Sequence, residues 1–243
     1  MSGKTAVVIP ARYASTRFPG KPLAVLAGKP MIQHVCEKAN ASCADLVMVA
    51  TDDKRIFDAV EGFGSRAVMT RSDHPSGTDR IFEAIRDTDA QIIINVQGDE
   101  PLIPTSVIDR LIELMQQNPE LDMATVAVPA DRAKMTENNV KVVFTSEGKA
   151  LYFSRADIPF LRSGGVEAPM WLHWGIYAYR RAALEKFVSL PPGSLENCEK
   201  LEQLRALENG MSIYVLTSDL SSIGVDTPED LERAEAKIRE LES

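Results

Sequence analysis

Short apolar runs alternate with amphipathic stretches through the first half of the chain. Thr5 to Ile9 is apolar, β-branched and stopped by Pro10, the pattern of a buried parallel strand. Pro10 to Pro30 holds four prolines and two glycines, which predicts a long loop, and a helix follows over about Met31 to Ala39. The pattern then predicts strand Leu46 to Ala50, helix Asp53 to Glu61 with Ile56, Phe57 and Val60 inward, strand Arg66 to Met69 and helix Asp79 to Arg86. Gln91 to Val96 is the most apolar strand. A helix over Thr105 to Gln117 turns Val107, Ile108, Leu111, Ile112 and Met115 to one side, and Met123 to Val128 is a fifth strand. Strands separated in this way by helices imply an α/β fold with a doubly wound, mostly parallel sheet.

After Pro129 the rhythm changes. Val140 to Phe144 and Ala150 to Phe153 flank Ser146-Glu147-Gly148-Lys149, a hairpin pattern. Asp157 to Pro169 is a glycine- and proline-rich excursion, and Trp171 to Tyr179 reads as an aromatic strand of a smaller lobe continuous with the core. A helix is predicted over Glu199 to Asn209, ended by Gly210 and burying Leu201, Leu204 and Leu207. Thr227-Pro228-Glu229-Asp230 supplies a cap, a first-turn proline and two acids, the start of a last helix through Leu231, Ala234 and Ile238.

A chain of 243 residues with 44% hydrophobic and 26% charged residues can bury one large core, which excludes wholesale disorder. It has no apolar run of 18 residues and no leader-like segment at its start, so the expectation is a cytoplasmic protein without membrane insertion. Cys36, Cys43 and Cys198 are too few and too irregular for a disulfide framework or a zinc site. The net charge of -8 argues against long nucleic acids as partners. Against that background the first 36 residues carry Lys4, Arg12, Arg17, Lys21 and Lys29 and no acid, so a small anion can bind there.

Four segments follow predicted strand C-termini, the edge where ligands of open α/β sheets collect: Ala11 to Pro22, Thr51-Asp52-Asp53, Gln97 to Pro101 and Gly224-Val225-Asp226. The first combines Gly20 for close backbone approach, Ser15 and Thr16 as donors, and Arg12 and Lys21 as charge for phosphoryl oxygens. A triphosphate cradle and a solvated basic loop both fit it, whereas GxxxxGK[ST] and GxGxxG are absent. Ser76-Gly77-Thr78-Asp79-Arg80 opens a helix with free first-turn N–H groups, and reads equally as a capping segment with Thr78 as cap and Arg80 on the surface. Asp99 follows a buried strand and a glycine, where a carboxylate is costly unless it faces a metal or a donor. Triphosphate chemistry uses Mg²⁺, a hard ion that takes carboxylate oxygens, and Asp226 is the second candidate ligand. The alternative for each aspartate is a turn or cap residue. His173 and Tyr177 share a strand face and can present donors to a pocket, or His173 packs in a core or interface. Glu202 and Gln203 point away from the leucine stripe, toward a solute or simply into solvent.

On IPARYASTRFPGKPL from Ile9, ATDD from Ala50, SGTDR from Ser76, NVQGDEP from Asn95, YFSR from Tyr152, HWGIYAYR from His173, EKLEQLRALENG from Glu199 and GVDTPEDL from Gly224, the chain resembles the 3-deoxy-manno-octulosonate (Kdo) cytidylyltransferases nearly end to end. The resemblance implies a nucleotide-diphospho-sugar transferase-like fold. It implies transfer of CMP from CTP to Kdo with Mg²⁺ as cofactor, by a cytoplasmic homodimer that supplies lipopolysaccharide synthesis. It divides this single domain into a nucleotide-binding core over 1–129, a sugar-binding and dimerisation lobe over 130–220, and a return to the core over 221–243 with a metal ligand and the last helix. Carried onto this sequence, it implies CTP contacts from Ala11, Arg12, Ser15, Lys21, Ser76, Arg80 and Gln97, and a metal pair, Asp99 and Asp226. Sugar contacts are implied from Arg155, His173, Tyr177, Glu202 and Gln203, and catalytic roles for Arg12, Lys21, Asp99 and Asp226. Trp174 stands where a small aliphatic residue is more usual, and the stretch Arg162 to Met170 is short. Some members of the family use an 8-amino analogue of Kdo, and sialic-acid-type cytidylyltransferases share the chemistry.

Overall fold

The computed structural model describes residues 3–14, 18–220 and 222–242. Strand β1 (Thr5–Ala11) is buried throughout except at Pro10. The long loop after it carries a short antiparallel pair, β2 (Val25–Leu26) and β3 (Lys29–Pro30). Next come α1 (Met31–Asn40), β4 (Leu46–Thr51), α2 (Lys54–Gly62), β5 (Ala67–Met69), α3 (Gly77–Ala84), β6 (Ile92–Asn95), α4 (Thr105–Gln117) and β7 (Met123–Ala130), in the predicted order. The hairpin of β8 (Lys141–Phe144) and β9 (Ala150–Ser154) turns at Gly148, whose φ of 87° suits a residue without Cβ. The chain closes with β10 (Met170–Arg180), α5 (Arg181–Ser189), α6 (Ser194–Glu199), α7 (Leu204–Glu208), β11 (Ile213–Thr217) and α8 (Pro228–Glu242). Among the described residues, no helix is long and apolar enough to cross a membrane.

The main sheet runs β11-β7-β10-β6-β1-β4-β5, with β8 paired to β10 and β9 to β8. The β1–β4, β1–β6, β4–β5 and β7–β11 pairs are parallel, so the fold is an α/β, mostly parallel, doubly wound sheet. Alternate residues of each strand feed opposite faces. Val7, Ile9, Ile92 and Ile94 pack with α1, α2 and α4, while Ala6, Val8 and Ile93 pack with α3, α5 and α7. A third cluster joins Leu26 and Met31 to Val225, Ala234 and Ile238, which seats α8 against the β2–β3 loop.

The structure corrects three local expectations. The aromatic strand expected in the smaller lobe, β10, runs through the middle of the main sheet, antiparallel to both β6 and β7. Its apolar and aromatic residues supply both faces, as a central strand requires. The helix expected over Glu199 to Asn209 is broken. Lys200 takes a left-handed conformation (φ 55°) that ends α6, and α7 starts at Leu204, while the Glu199 carboxylate accepts from Ser154 and Arg155. Gly210 does follow the end of α7 with φ 71°. Finally, α5, most of α6 and β11 lie where no element was predicted.

At the start of α8 the Asp230 N–H meets Thr227 Oγ1 at 3.3 Å while the Thr227 N–H donates to Asp230 Oδ2 at 3.1 Å. This reciprocal cap fixes the segment that carries Asp226. Thr227→Ala is expected to cost about 1 kcal/mol of stability, read as a lower urea midpoint by circular dichroism.

Candidate active site

Residues 126 positions apart meet through one backbone contact, Val225 N–H to the Asp99 carbonyl at 2.9 Å. Gly98 allows the loop after β6 to lie against the end of β1, since a Cβ there would sit 3.0 Å from the Pro10 carbonyl oxygen. Lys21 enters from the opposite side, on the short 3₁₀ turn Lys21–Leu23. Its Nζ lies 2.7 Å from Asp99 Oδ2 and 3.1 Å from Asp226 Oδ1. Burial works against the ammonium, but the two carboxylates outweigh it and hold its pKa above the ordinary lysine value.

Two carboxylates on one cation suit Mg²⁺, which takes one or two protein carboxylates, keeps several waters and completes its shell with substrate phosphates. Among the described residues no three His, Cys, Asp or Glu side chains converge into a closed metal cage. Lys21 marks the point between the carboxylates where a cation is favoured.

Around this point three clefts adjoin. The first, about 260 Å³, is lined by Ala11, Arg12, Lys21, Gln97 and Asp99. The second, about 560 Å³, shares Gln97 with it and adds His173, Tyr177, Gln203 and Asp226. The third, about 590 Å³, shares Asp226 with the second and adds Arg155 and Lys200. Ser15 lies outside the described residues.

Ser76, Arg80 and Glu202 line none of the three. Ser76, rather than Thr78, caps α3, accepting from the Thr78 and Asp79 N–H groups. Arg80 is wholly buried rather than on the surface, donating to Thr70 Oγ1 at 2.5 Å and Asp52 Oδ2 at 3.0 Å. The break at Lys200 turns Glu202 toward α3, where it accepts from Thr78 Oγ1 at 2.9 Å, and turns Gln203 into the second cleft. Arg155 spends its guanidinium on the carbonyls of Glu199, Lys200 and Glu137, bracing the wall of the third cleft.

A bulge in β10 shapes the second cleft. Trp174 pairs with Val126 and Tyr177 with Thr125, so β10 spends three residues where β7 spends one. Four residues of regular strand would separate His173 from Tyr177 by about 13 Å. The bulge brings their rings to 5.4 Å between centroids. Thr125 has one hydroxyl proton, which reaches the Ile176 carbonyl at 2.8 Å, so its oxygen accepts from His173 Nε2–H at 3.0 Å. His173 Nδ1 then remains as an acceptor.

Burial lowers the His173 pKa from 6.5 to about 3, so the ring is neutral near neutral pH. Between those values the unfolded chain binds a proton that the folded ring refuses. Stability present above pH 6.5 is therefore lost as pH falls toward 3, by an amount on the order of 5 kcal/mol. His173→Gln is expected to flatten that slope in urea midpoints measured against pH.

Sequence reasoning missed Glu100, which lies between Asp99 and the second cleft. Burial, reinforced by the charges of Asp99 and Asp226, pushes its carboxyl up to about 7. Its Oε2 has no hydrogen-bond partner among the described residues. The available signal was the Asp99-Glu100 pair itself, two adjacent acids straight after the most apolar strand.

A mostly parallel sheet whose strand ends carry a basic loop facing two carboxylates defines a nucleotidyltransferase of the nucleotide-diphospho-sugar transferase type. Residues 6–213 match the family model described as cytidylyltransferase. The chain is 53% identical to the 3-deoxy-manno-octulosonate cytidylyltransferase of Syntrophobacter fumaroxidans, over 93% of each chain. It is 52% identical to the 8-amino-3,8-dideoxy-manno-octulosonate cytidylyltransferase of Shewanella halifaxensis, over 96% of this chain and 97% of that one. A solved CMP:2-keto-3-deoxy-manno-octonic acid synthetase complexed with CTP superposes with a TM-score of 0.94 at 44% identity, covering 98% of this chain and 99% of that one. The chain belongs to the 3-deoxy-manno-octulosonate cytidylyltransferases, within the cytidylyltransferase family.

Proposed function

We propose that the protein transfers CMP from CTP to the anomeric hydroxyl of Kdo, giving CMP-Kdo and pyrophosphate. The observation that carries this reading is the continuity of the clefts. A triphosphate over Arg12 and Lys21 and a sugar acid beside His173 and Gln203 meet at Gln97, which lines both the first and the second cleft, while Asp226 joins the second to the third. The names of the relatives and of the CTP-bound neighbour support the same pair of substrates.

Asp99 and Asp226 would hold Mg²⁺, which when bound neutralises phosphate charge and polarises the attacked phosphoryl group. Arg12 and Lys21 bind phosphoryl oxygens and offset charge on the leaving group. Ala11, Ser15, Ser76 and Gln97 serve the nucleotide. Arg80 serves it from behind α3, by holding Thr70 and Asp52 rather than by contact. Arg155, His173, Tyr177 and Gln203 serve the sugar, and Glu202 acts by steadying the first turn of α3. The sugar oxygen bonds to the α-phosphorus as the bond to the β-phosphoryl oxygen breaks. Pyrophosphate leaves with that electron pair, and the hydroxyl proton passes to solvent. The reading includes a cytoplasmic homodimer that supplies activated sugar for lipopolysaccharide.

A second reading, the same transfer to 8-amino-3,8-dideoxy-manno-octulosonate, is favoured by relatives of that name at 52% and 51% identity. One assay separates the two: pyrophosphate release with Mg²⁺, testing each common nucleoside triphosphate against Kdo, its 8-amino analogue and N-acetylneuraminate. Release with CTP alone, fastest with Kdo, is the expected result. A faster rate with the 8-amino acid selects the second reading, and no release with either overturns both.

A further inference from the structure

Lys141 interrupts the apolar pattern of β8 and has no exposed surface. A buried ammonium is costly unless its three donors are all met. Here they reach the carbonyl oxygens of Thr136 at 3.0 Å, Asn139 at 2.8 Å and Arg155 at 2.5 Å, with Asp157 Oδ1 at 3.7 Å. These carbonyls belong to two separate segments, the loop before β8 and the residue after β9. Three carbonyl dipoles aimed at one point repel one another, and a cation at that point turns the repulsion into a clamp.

The clamped segments are walls of the site. Asn138 and Asn139 line the second cleft, and Asn138 and Arg155 line the third. Beside the clamp, the Val140 carbonyl accepts from His173 N–H at 2.8 Å, and Lys141 pairs with Leu172 of β10. The lysine reaches no cleft itself, so whatever it does for a ligand it does through these walls.

We propose that Lys141 is a positioning residue for the acceptor sugar: its ammonium ties loop 136–139 to Arg155 and sets the width of the sugar-acid pocket. This rests on the proposed transfer to Kdo. The CTP cleft shares no residue with the clamp, so the two substrates respond differently when the clamp is removed.

The test is steady-state pyrophosphate release by the full chain, with Kdo and CTP varied in turn, for wild type and Lys141→Met. Misplaced walls are expected to raise KM for Kdo about 10-fold or more, leaving KM for CTP within about twofold. A lysine that merely supports folding would move both constants together or neither, and either result overturns the proposal. If Lys141→Met does not fold, Lys141→Gln, which keeps N–H donors for the carbonyls, is read in the same way. It is expected to raise KM for Kdo about threefold, and an unchanged value overturns the proposal. Wild type that releases no pyrophosphate from CTP and Kdo would instead refute the proposed function.

Discussion

Asp99→Asn and Asp226→Asn are each expected to reduce pyrophosphate release by at least about 100-fold while the protein stays folded. Asparagine keeps the shape and a hydrogen-bonding oxygen but removes the charge that a hard divalent ion requires. Both side chains are partly solvent-accessible, at 33% and 49%, so the fold depends little on their charge. Thermal melts close to wild type are therefore expected beside the loss of turnover. The two positions are held together by the Val225 to Asp99 backbone contact, so the variants should fail alike and the double variant little worse than either. Turnover near wild type in both single variants would remove the two-carboxylate metal role.

Lys21→Met is expected to lower kcat by about 100-fold or more and, unlike the aspartate variants, to reduce the Mg²⁺ concentration needed for half-maximal rate. The ammonium satisfies the carboxylates that a metal ion would use, at 2.7 and 3.1 Å. Removing it takes one cation away from the two acids, which makes the point between them more favourable for a divalent ion. It also removes a cation from the triphosphate, and that loss dominates the rate. A Mg²⁺ titration of both proteins followed by pyrophosphate release separates the effects. A higher Mg²⁺ requirement in Lys21→Met would show that lysine and metal do not compete.

The first half of the fold was legible because its strands are short apolar runs between breakers, and the β-branched content and shortness of Ile92 to Ile94 and Val7 to Ile9 favour strands. The loop from Ala11 to Pro22 was legible by charge, since nothing acidic precedes Glu37. What escaped depends on contacts between distant residues. No periodicity reveals that β10 enters between β6 and β7, because pairing partners 40 to 88 residues apart leave no local trace. The leucine spacing around 201–207 is helical, and the contacts that accompany the break at Lys200, from Ser154 and Arg155 to Glu199, come from residues some 45 positions away. Arg80 looked like a surface cation because Asp52 and Thr70, which bury it, come from elsewhere in the chain. Glu100 was overlooked because its neighbour accounted for the same chemistry. Family resemblance, rather than pattern, grouped Arg155, His173, Tyr177, Glu202 and Gln203 as the proposed sugar contacts.

The antiparallel passage of β10 has a consequence for synthesis of the chain. Until residues 170–180 have left the ribosome, β6 and β7 cannot be neighbours of anything that joins them, and each presents a row of unsatisfied N–H and C=O groups. A nascent chain halted at residue 129 would therefore hold the basic loop and Asp99 in an unfinished sheet prone to pairing with other chains. The first 129 residues alone lack the strand that joins β6 to β7, so the sheet edge that carries Asp99 reaches its final setting only after β10 has taken its place between them.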